Sequence, residues 1–504
     1  MSAKLKKLAS VLGVAALLFS VAPTYAGTVL EDLASVLTSL RVTDPLQASP
    51  ALSNHHHAQY DSATSMCRVS REDALHLTLM TAVDLAICNN AQLKSAGNMI
   101  KIQAAAVGVA KAAYLPSVNV TTGRVNSRTE YSDPTYPAME GAGNTVSAVL
   151  SWRLFDFGAR RANLGVADSS LVAAIATNDA TLQKTLATVV QVYFDALSGR
   201  AAWQAKEQDE AITASTLASA RRREADGYAG HGDVLQATTA YARASLEHHR
   251  ARGTYKKTLA VLTYTLGLPA DSDIELAEDI DDAPVTSAPD LLLGNQMRHL
   301  DKWLRRARQS HPSIAAARAQ LASAQNSVTS VRAAGLPTID FSANYSKNSY
   351  PGQALTSIGT HVNSIGISIS IPLFDGFAQT YKVAGAQAQA DQRETEFYDT
   401  EQSVLMQVVK SHADTLSSLE NLDASQILLV AAQDALASSQ RKYAKGVSGI
   451  VDILSAQSAL ADARQQRIQC LAEWRSARLR LLADAGLLEG EQIVGAAGKS
   501  NAIR

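Results

Sequence analysis

Gly227-Tyr228-Ala229-Gly230-His231-Gly232-Asp233-Val234-Leu235 and Tyr443-Ala444-Lys445-Gly446-Val447-Ser448-Gly449-Ile450-Val451-Asp452-Ile453-Leu454 are two writings of one segment. Arg222, Gly227, Gly230, Asp233, Leu235 and Gly267 recur as Arg441, Gly446, Gly449, Asp452, Leu454 and Gly486, always 219 residues on. Leu154-Phe155-Asp156 returns as Leu373-Phe374-Asp375 at the same separation. Ala113-Tyr114-Leu115-Pro116 returns as Ala334-Gly335-Leu336-Pro337, 221 residues on, so a short slip falls where a loop belongs. A register kept across half a chain marks a tandem duplication.

Each half reads as helix, strand, loop, strand, long helix, tight turn, helix. Ile339, Phe341, Ala343 and Tyr345 alternate with mostly polar residues, and Ile365, Ile367, Ile369 and Ile371 alternate with Gly366, Ser368 and Ser370. In the first half Val118 and Val120 precede Val146, Ala148, Leu150, Trp152 and Leu154. Period two with one apolar side is the pattern of half-buried strands. The spacing predicts strands of about 10 residues, the length a tilted strand needs to cross a bilayer. A soluble sheet packed on helices would show the same alternation.

Asp156 and Asp375 close the second strand of each pair and suit the N-cap of the helix that follows. From there an apolar-periodic, proline-free stretch runs to about Ala225, and its copy runs from Phe377 to Ala444. Nearly 70 residues at 1.5 Å each give a rod of roughly 100 Å. Coiled coils, rather than globular cores, use such helices. Leu259, Leu262 and Leu266 on the first returning helix, and Leu471, Trp474, Leu479 and Leu482 on the second, keep one apolar stripe on each.

The ends of the chain read differently. Lys4, Lys6 and Lys7, an uncharged apolar stretch from Leu8 to Ala22, and Thr24-Tyr25-Ala26 have the layout of a secretory signal. The division that follows is a signal peptide (1–26), a flexible N-terminal arm (27–66) and a first repeat (67–270). An acidic linker (271–295), a second repeat (296–488) and a C-terminal tail (489–504) complete it. His55-His56-His57 in the arm reads as solvated rather than metal-binding. Cys67 and Cys88 flank the start of the first helix and could bridge in an oxidising compartment, leaving Cys470 alone. Their spacing matches no zinc pattern, so no metal is expected.

Composition narrows the function. The 504 residues carry Lys+Arg 46 against Asp+Glu 47, a net charge of -1, which excludes a general nucleic-acid binder. Mean hydropathy is -0.04, and no later apolar run is long enough for a membrane helix. There is no G-x-S-x-G, H-E-x-x-H or dinucleotide fingerprint, so neither an enzyme nor a cofactor is indicated. Gly498-Lys499-Ser500 mimics the end of a phosphate loop, but Ile493 replaces the glycine that loop requires.

Four strands cannot close a barrel, and an open sheet edge is not tolerated in lipid. Two copies would supply eight strands and a filled lumen; three would supply twelve and a pore. Oligomerisation therefore follows from strand number.

The duplicated plan, the Leu-Phe-Asp strand endings and the paired glycine turns resemble the TolC-like outer-membrane channel family over roughly residues 67 to 488. The resemblance implies a mainly α protomer with membrane β-strands, forming a homotrimer with a 12-strand β-barrel in the outer membrane of a Gram-negative bacterium. A 12-helix α-barrel would continue it across the periplasm. It also implies a passive duct in contact with outer-membrane lipid, a periplasmic adaptor (membrane fusion) protein and an inner-membrane transporter, with the ABC type favoured. Gly227, Gly230, Gly446 and Gly449 would form the adaptor-docking hairpin tips, and φ > 0 at those turns would explain their glycines. Asp452 matches an aspartate that rings the closed aperture. Asp233 and Tyr443 match a pair that bonds one coiled coil to the next and holds the entrance shut. Ser448 and Ser455 stand where the family's best-known member has a latch arginine and a second aperture aspartate, implying a weaker latch and lower charge. Asp233 and Asp452 also suit first-turn positions as carboxylates facing the helix dipole.

Type I protein secretion and tripartite small-molecule efflux both fit such a duct. The missing lipidation cysteine and the Cys67/Cys88 pair are similar to members dedicated to protein secretion. A non-conducting envelope scaffold would have no use for the alternating strands.

Overall fold

The computed structural model of the full chain describes residues 46–47, 76–133, 135, 138–277, 299–348 and 360–487. The expected signal peptide, Cys67, the His triplet and the tail lie outside them. The first repeat contains β1 (His76–Leu77), α1 (Leu79–Asn89), α2 (Ala91–Ala112), β2 (Ser117–Thr129), β3 (Met139–Phe155), α3 (Ala159–Ala225) and α4 (His231–Thr265). β4 (Glu275–Leu276) follows, then α5 (Leu300–Ser310), α6 (Pro312–Ala333), β5 (Thr338–Asn348), β6 (Thr360–Ser370), α7 (Ala378–Ala444) and α8 (Ile450–Asp484). The start of the acidic stretch is thus not all linker: Glu275 and Leu276 pair in parallel with His76 and Leu77.

β2, β3, β5 and β6 form one antiparallel sheet in that order, so both repeats share it and β2 and β6 are its edges. The register sorts side chains cleanly by face. Val118, Leu150, Ala343 and Ile365 share a row; Trp152, Phe341 and Ile367 form the next, and Ile339 with Ile369 another. The opposite face carries Ser117, Ser151, Ser342 and Gly366, then Asn119, Val149, Asn344 and Ser364. Ile365, Ile367 and Ile369 are 79%, 66% and 63% exposed, so no described part of the chain covers the apolar face along β6. Ile339 to Tyr345 spans about 20 Å along the strand, close to the apolar band of a membrane barrel.

The second-repeat strands have 11 residues each, near the expected length. β2 and β3 have 13 and 17, because their ladder runs on to Thr129↔Met139 beyond the level where β5 and β6 end. That extension is mostly polar, charged or glycine, with Arg128 paired to Glu130 and Glu140, and carries no apolar alternation.

α3 and α7 are 67 residues each, about 100 Å long. Their N-caps are Gly158 and Phe377, both left-handed, rather than Asp156 and Asp375. The carboxylates still cap from further upstream: Asp156 accepts from the Arg160 amide (3.1 Å) and Asp375 from the Gln379 amide (2.7 Å). A left-handed step between strand and helix gives the carboxylate the extra reach.

The shorter helices stack in pairs. Asn90 caps α2 and His311 caps α6, each accepting from amides of the first turn. The C-terminal glycine of α4, Gly267, lies against Asn89, and that of α8, Gly486, lies against His311. A Cβ on Gly267 would fall 2.8 Å from the Asn89 carbonyl oxygen, so both stacking points require glycine. Around them sit two related cores. Leu79, Val83, Val189, Tyr193, Leu262 and Leu479 belong to one, and Trp303, Leu405, Val408, Leu422 and Trp474 to the other.

Candidate functional site

The ends of the two long hairpins, α3/α4 and α7/α8, form the site singled out by the repeated motif. Both reversals are Schellman motifs. Gly227 (φ 76°) and Gly446 (φ 72°) donate to Glu224 and Tyr443 carbonyls, and the next residues reach back to Arg223 and Lys442. Gly230 and Gly449 differ from expectation: they are extended N-caps (φ -84° and -79°) with open space where a Cβ would stand. Left-handed freedom therefore explains one glycine of each pair, not both.

Asp233 and Asp452 occupy the third position of α4 and α8, next to the unpaired amides of the first turn. Asp452 is exposed; Asp233 is half-buried. Tyr443 is packed between the hairpins near Leu217, Ala220, Val234, Ala237 and Ile450. Its hydroxyl is buried without a hydrogen-bond partner, so within one chain it is not bonded to Asp233. Arg223 provides the link instead. Its guanidinium lies 4.4 Å from the Tyr443 ring centre, and Nη1 donates to the Tyr443 carbonyl at 3.0 Å.

That link is the lowest rung of a ladder between the hairpins. Gln457 Nε2 donates to Thr216 Oγ1 at 2.8 Å, and Arg464 Nη1 reaches Asp209 Oδ1 at 3.3 Å. On α3 the rungs fall at 209, 216 and 223, one heptad apart, and on α8 at 464 and 457. Regular spacing keeps them on one seam, as coiled-coil geometry demands. The seam within the α7/α8 hairpin is made differently, from Leu429, Ala432, Leu436, Ala456, Leu460 and Ala463.

The ladder is polar and incompletely satisfied. Asp209 Oδ2, Gln457 Oε1, Tyr443 Oη and Ser448 Oγ are all buried without a hydrogen-bond partner, each costing on the order of 1 kcal/mol or more. Burial pushes the Asp209 carboxyl above its ordinary range, against the pull of Lys206 and Arg464. Beside the ladder lies a cleft of about 760 Å³, lined among others by Ile212, Leu235, Arg243, Val451, Leu454 and Asp462. Apolar contact thus holds the tip of the α7/α8 hairpin together, whereas the two hairpins are joined by breakable polar contacts beside one apolar patch around Ile450.

The sequence reading found Tyr443 and missed Arg223, Asp209, Thr216, Gln457 and Arg464. Heptad spacing of polar residues at apolar positions was the available signal. Cys88 is disulfide-bonded and Cys470 is a free thiol; Cys67 is outside the described residues. Among the described residues, no cluster of His, Cys, Asp and Glu could hold a metal, and no helix is long and apolar enough to cross a membrane.

The family described as outer membrane efflux protein matches this chain over residues 82–268 and 303–487, one block in each repeat. Protein CyaE of Bordetella pertussis is 36% identical over 463 residues, covering 92% of this chain and 94% of that protein. The proteases secretion protein PrtF of Dickeya chrysanthemi is 22% identical over 437 residues, covering 86% and 93%. The solved Campylobacter jejuni CmeC outer membrane channel shares the fold, with a TM-score of 0.69 at 16% identity, over 84% of this chain and 90% of that one. With both repeats matched, the chain belongs to the outer membrane efflux protein family and is an outer-membrane channel protein with a helical extension into the periplasm.

Proposed function

We propose that the protein is the exit duct of a type I protein secretion system, working as a homotrimer docked to a periplasmic adaptor and an ABC-type inner-membrane transporter. The observation that carries the oligomer is the sheet: an uncovered apolar face, a polar face and two open edges. In lipid those edges must be paired. Three copies would pair β6 of one with β2 of the next and close twelve strands. Exposed apolar residues along α7 (Tyr398, Met406, Val409, Ile427, Val430) and α4 (Leu246, Val261, Tyr264) would be covered in the same step. The helices would then form a twelve-stave tunnel.

In this duct Asp452 lines the aperture, and Asp233, Tyr443 and Arg223 hold the hairpins closed. The tips carrying Gly227, Gly230, Gly446 and Gly449 face the adaptor. Opening is the separation of the α7/α8 hairpin from α3/α4, breaking ladder bonds while each hairpin's apolar seam stays intact.

The likeness, over most of the chain, to two proteins named for protease secretion supports polypeptide cargo. The family description favours a second reading, efflux of small molecules. Deleting the gene separates them. Protein secretion predicts loss of specific polypeptides from the culture medium, restored by the cloned chain, with unchanged drug susceptibility. Increased drug susceptibility with an unchanged set of secreted proteins would overturn it in favour of efflux.

A further inference from the structure

The polar face of the sheet carries one feature that its neighbours lack. Arg153 on β3 stands opposite Asp340 on β5, and Arg153 Nε donates to Asp340 Oδ1 at 2.9 Å. Thr338 Oγ1 also donates to Asp340, at 3.2 Å. Every other described strand residue on that face is uncharged, from Ser117 to Thr129 on β2, Ser151 to Met139 on β3, Ser342 to Asn348 on β5 and Thr360 to Ser370 on β6. The pair sits at the end of the sheet nearest the helices and is partly open, with side chains 49% and 33% exposed. The nearby Arg160 is different: 13% exposed, it is committed to Asp156 and to the carbonyls of Arg153 and Leu154.

The duplication shows how often the pair would occur around a closed barrel. Arg153 corresponds to Pro372 in the second repeat, and Asp340 corresponds to Asn119 in the first. The contact between β6 of one copy and β2 of the next is the pseudo-equivalent of β3 on β5, and it would bring Pro372 to Asn119. That contact is uncharged. A trimer would carry three Arg153–Asp340 pairs at its six inter-repeat contacts.

We propose that these three pairs form a charge-cancelled ring at the base of the barrel lumen, making Arg153 and Asp340 determinants of ion selectivity. The inference rests on the trimeric channel reading. Because each carboxylate faces its own guanidinium, the ring adds no net charge, and the barrel passes ions of either sign. Charged rings in a low-dielectric wall control permeant charge strongly, so removing one partner from each pair exposes three like charges to the lumen. A half-exposed ion pair contributes little to stability, about 0–1 kcal/mol, so the single variants assemble.

The test is the reversal potential under a KCl gradient in planar bilayers, in an Asp452→Ala background so that charge at the tips does not dominate. Asp340→Asn shifts selectivity toward chloride, Arg153→Gln shifts it toward potassium, and the double variant returns to the starting value. Ser342→Glu and Ser342→Lys, one row away and outside the ion pair, shift it in opposite directions. Conducting variants that all share the parental reversal potential would overturn the ring and leave the channel reading intact. A parental protein that never conducts would overturn the channel reading itself.

Discussion

Arg223 of the α3/α4 hairpin grips Tyr443 of the α7/α8 hairpin twice, its guanidinium 4.4 Å from the ring centre and its Nη1 3.0 Å from the backbone oxygen. The hydroxyl of Tyr443 takes no part. Two consequences separate ring from hydroxyl. Tyr443→Phe removes a buried, unbonded hydroxyl and leaves the closed tip as stable or about 1 kcal/mol more so. Arg223→Ala loses the stacking and the hydrogen bond, weakening closure by about 1–3 kcal/mol. Single-channel open probability should rise with Arg223→Ala and stay flat or fall with Tyr443→Phe. A large rise with Tyr443→Phe would mean that its hydroxyl bonds a neighbouring copy.

Gln457 gives a prediction of opposite sign. Its Nε2 is bonded to Thr216, but its Oε1 is buried unbonded. Gln457→Leu with Thr216→Val replaces a half-satisfied rung with apolar contact, which is neutral or stabilising. The double variant should raise the thermal midpoint or hold it, lower open probability, and reduce export. Increased opening would show that the seam depends on these polar bonds for its strength.

Only one glycine at each tip is conformationally required. Gly227→Ala and Gly446→Ala force an L-residue into the left-handed region, at a cost of about 1–2 kcal/mol each. Gly230→Ala and Gly449→Ala sit at extended N-caps with free space, lose only the N-cap preference for glycine over alanine, and cost about 0.5–1 kcal/mol. Thermal melts of the four variants should fall into these two groups.

His311 makes the helix-stacking point acid-sensitive. Its Nδ1 accepts from the Ser313 amide at 3.1 Å, which requires the unprotonated nitrogen, and burial lowers its pKa below the usual value. The unfolded chain therefore binds a proton at higher pH than the folded one. Stability from this group is present above the unfolded pKa of about 6.5 and declines as pH falls through it toward the lowered folded value. Asn90 fills the same place in the first repeat without titrating. His311→Asn should reduce the loss of thermal stability between neutral and mildly acidic pH; an unchanged loss would place the acid-sensitive group elsewhere.

Much of the fold was legible because the chain states it twice. Gly227 and Gly446 marked the reversals, Leu154-Phe155-Asp156 marked the end of β3, and alternating Ile365, Ile367 and Ile369 marked an apolar face; β6 stops at Ser370, short of Ile371 and of Leu373-Phe374-Asp375. Pattern reading was weaker where no pattern exists. The upper β2–β3 ladder has no apolar alternation, and the short β1–β4 pairing joins segments almost 200 residues apart, so neither leaves a local trace. The gate was half legible. Tyr443 stood in a repeated motif, whereas Arg223, Thr216 and Gln457 acquire meaning only once α3 and α8 lie side by side in register.

Closure of the sheet between copies is the central claim, and strand pairing tests it most directly. Ser151 opposite Ser342 maps through the duplication onto Ser370 of one copy opposite Thr121 of the next. Within one chain β2 and β6 lie at opposite edges of the sheet, so a link between them must join two copies. Ser370→Cys with Thr121→Cys, in a Cys470→Ser background, should be treated with a short bifunctional thiol reagent in isolated outer membranes and resolved on a denaturing gel. The account predicts covalent species ending at three chains. Protein that inserts in the membrane but remains monomeric on the gel would contradict it.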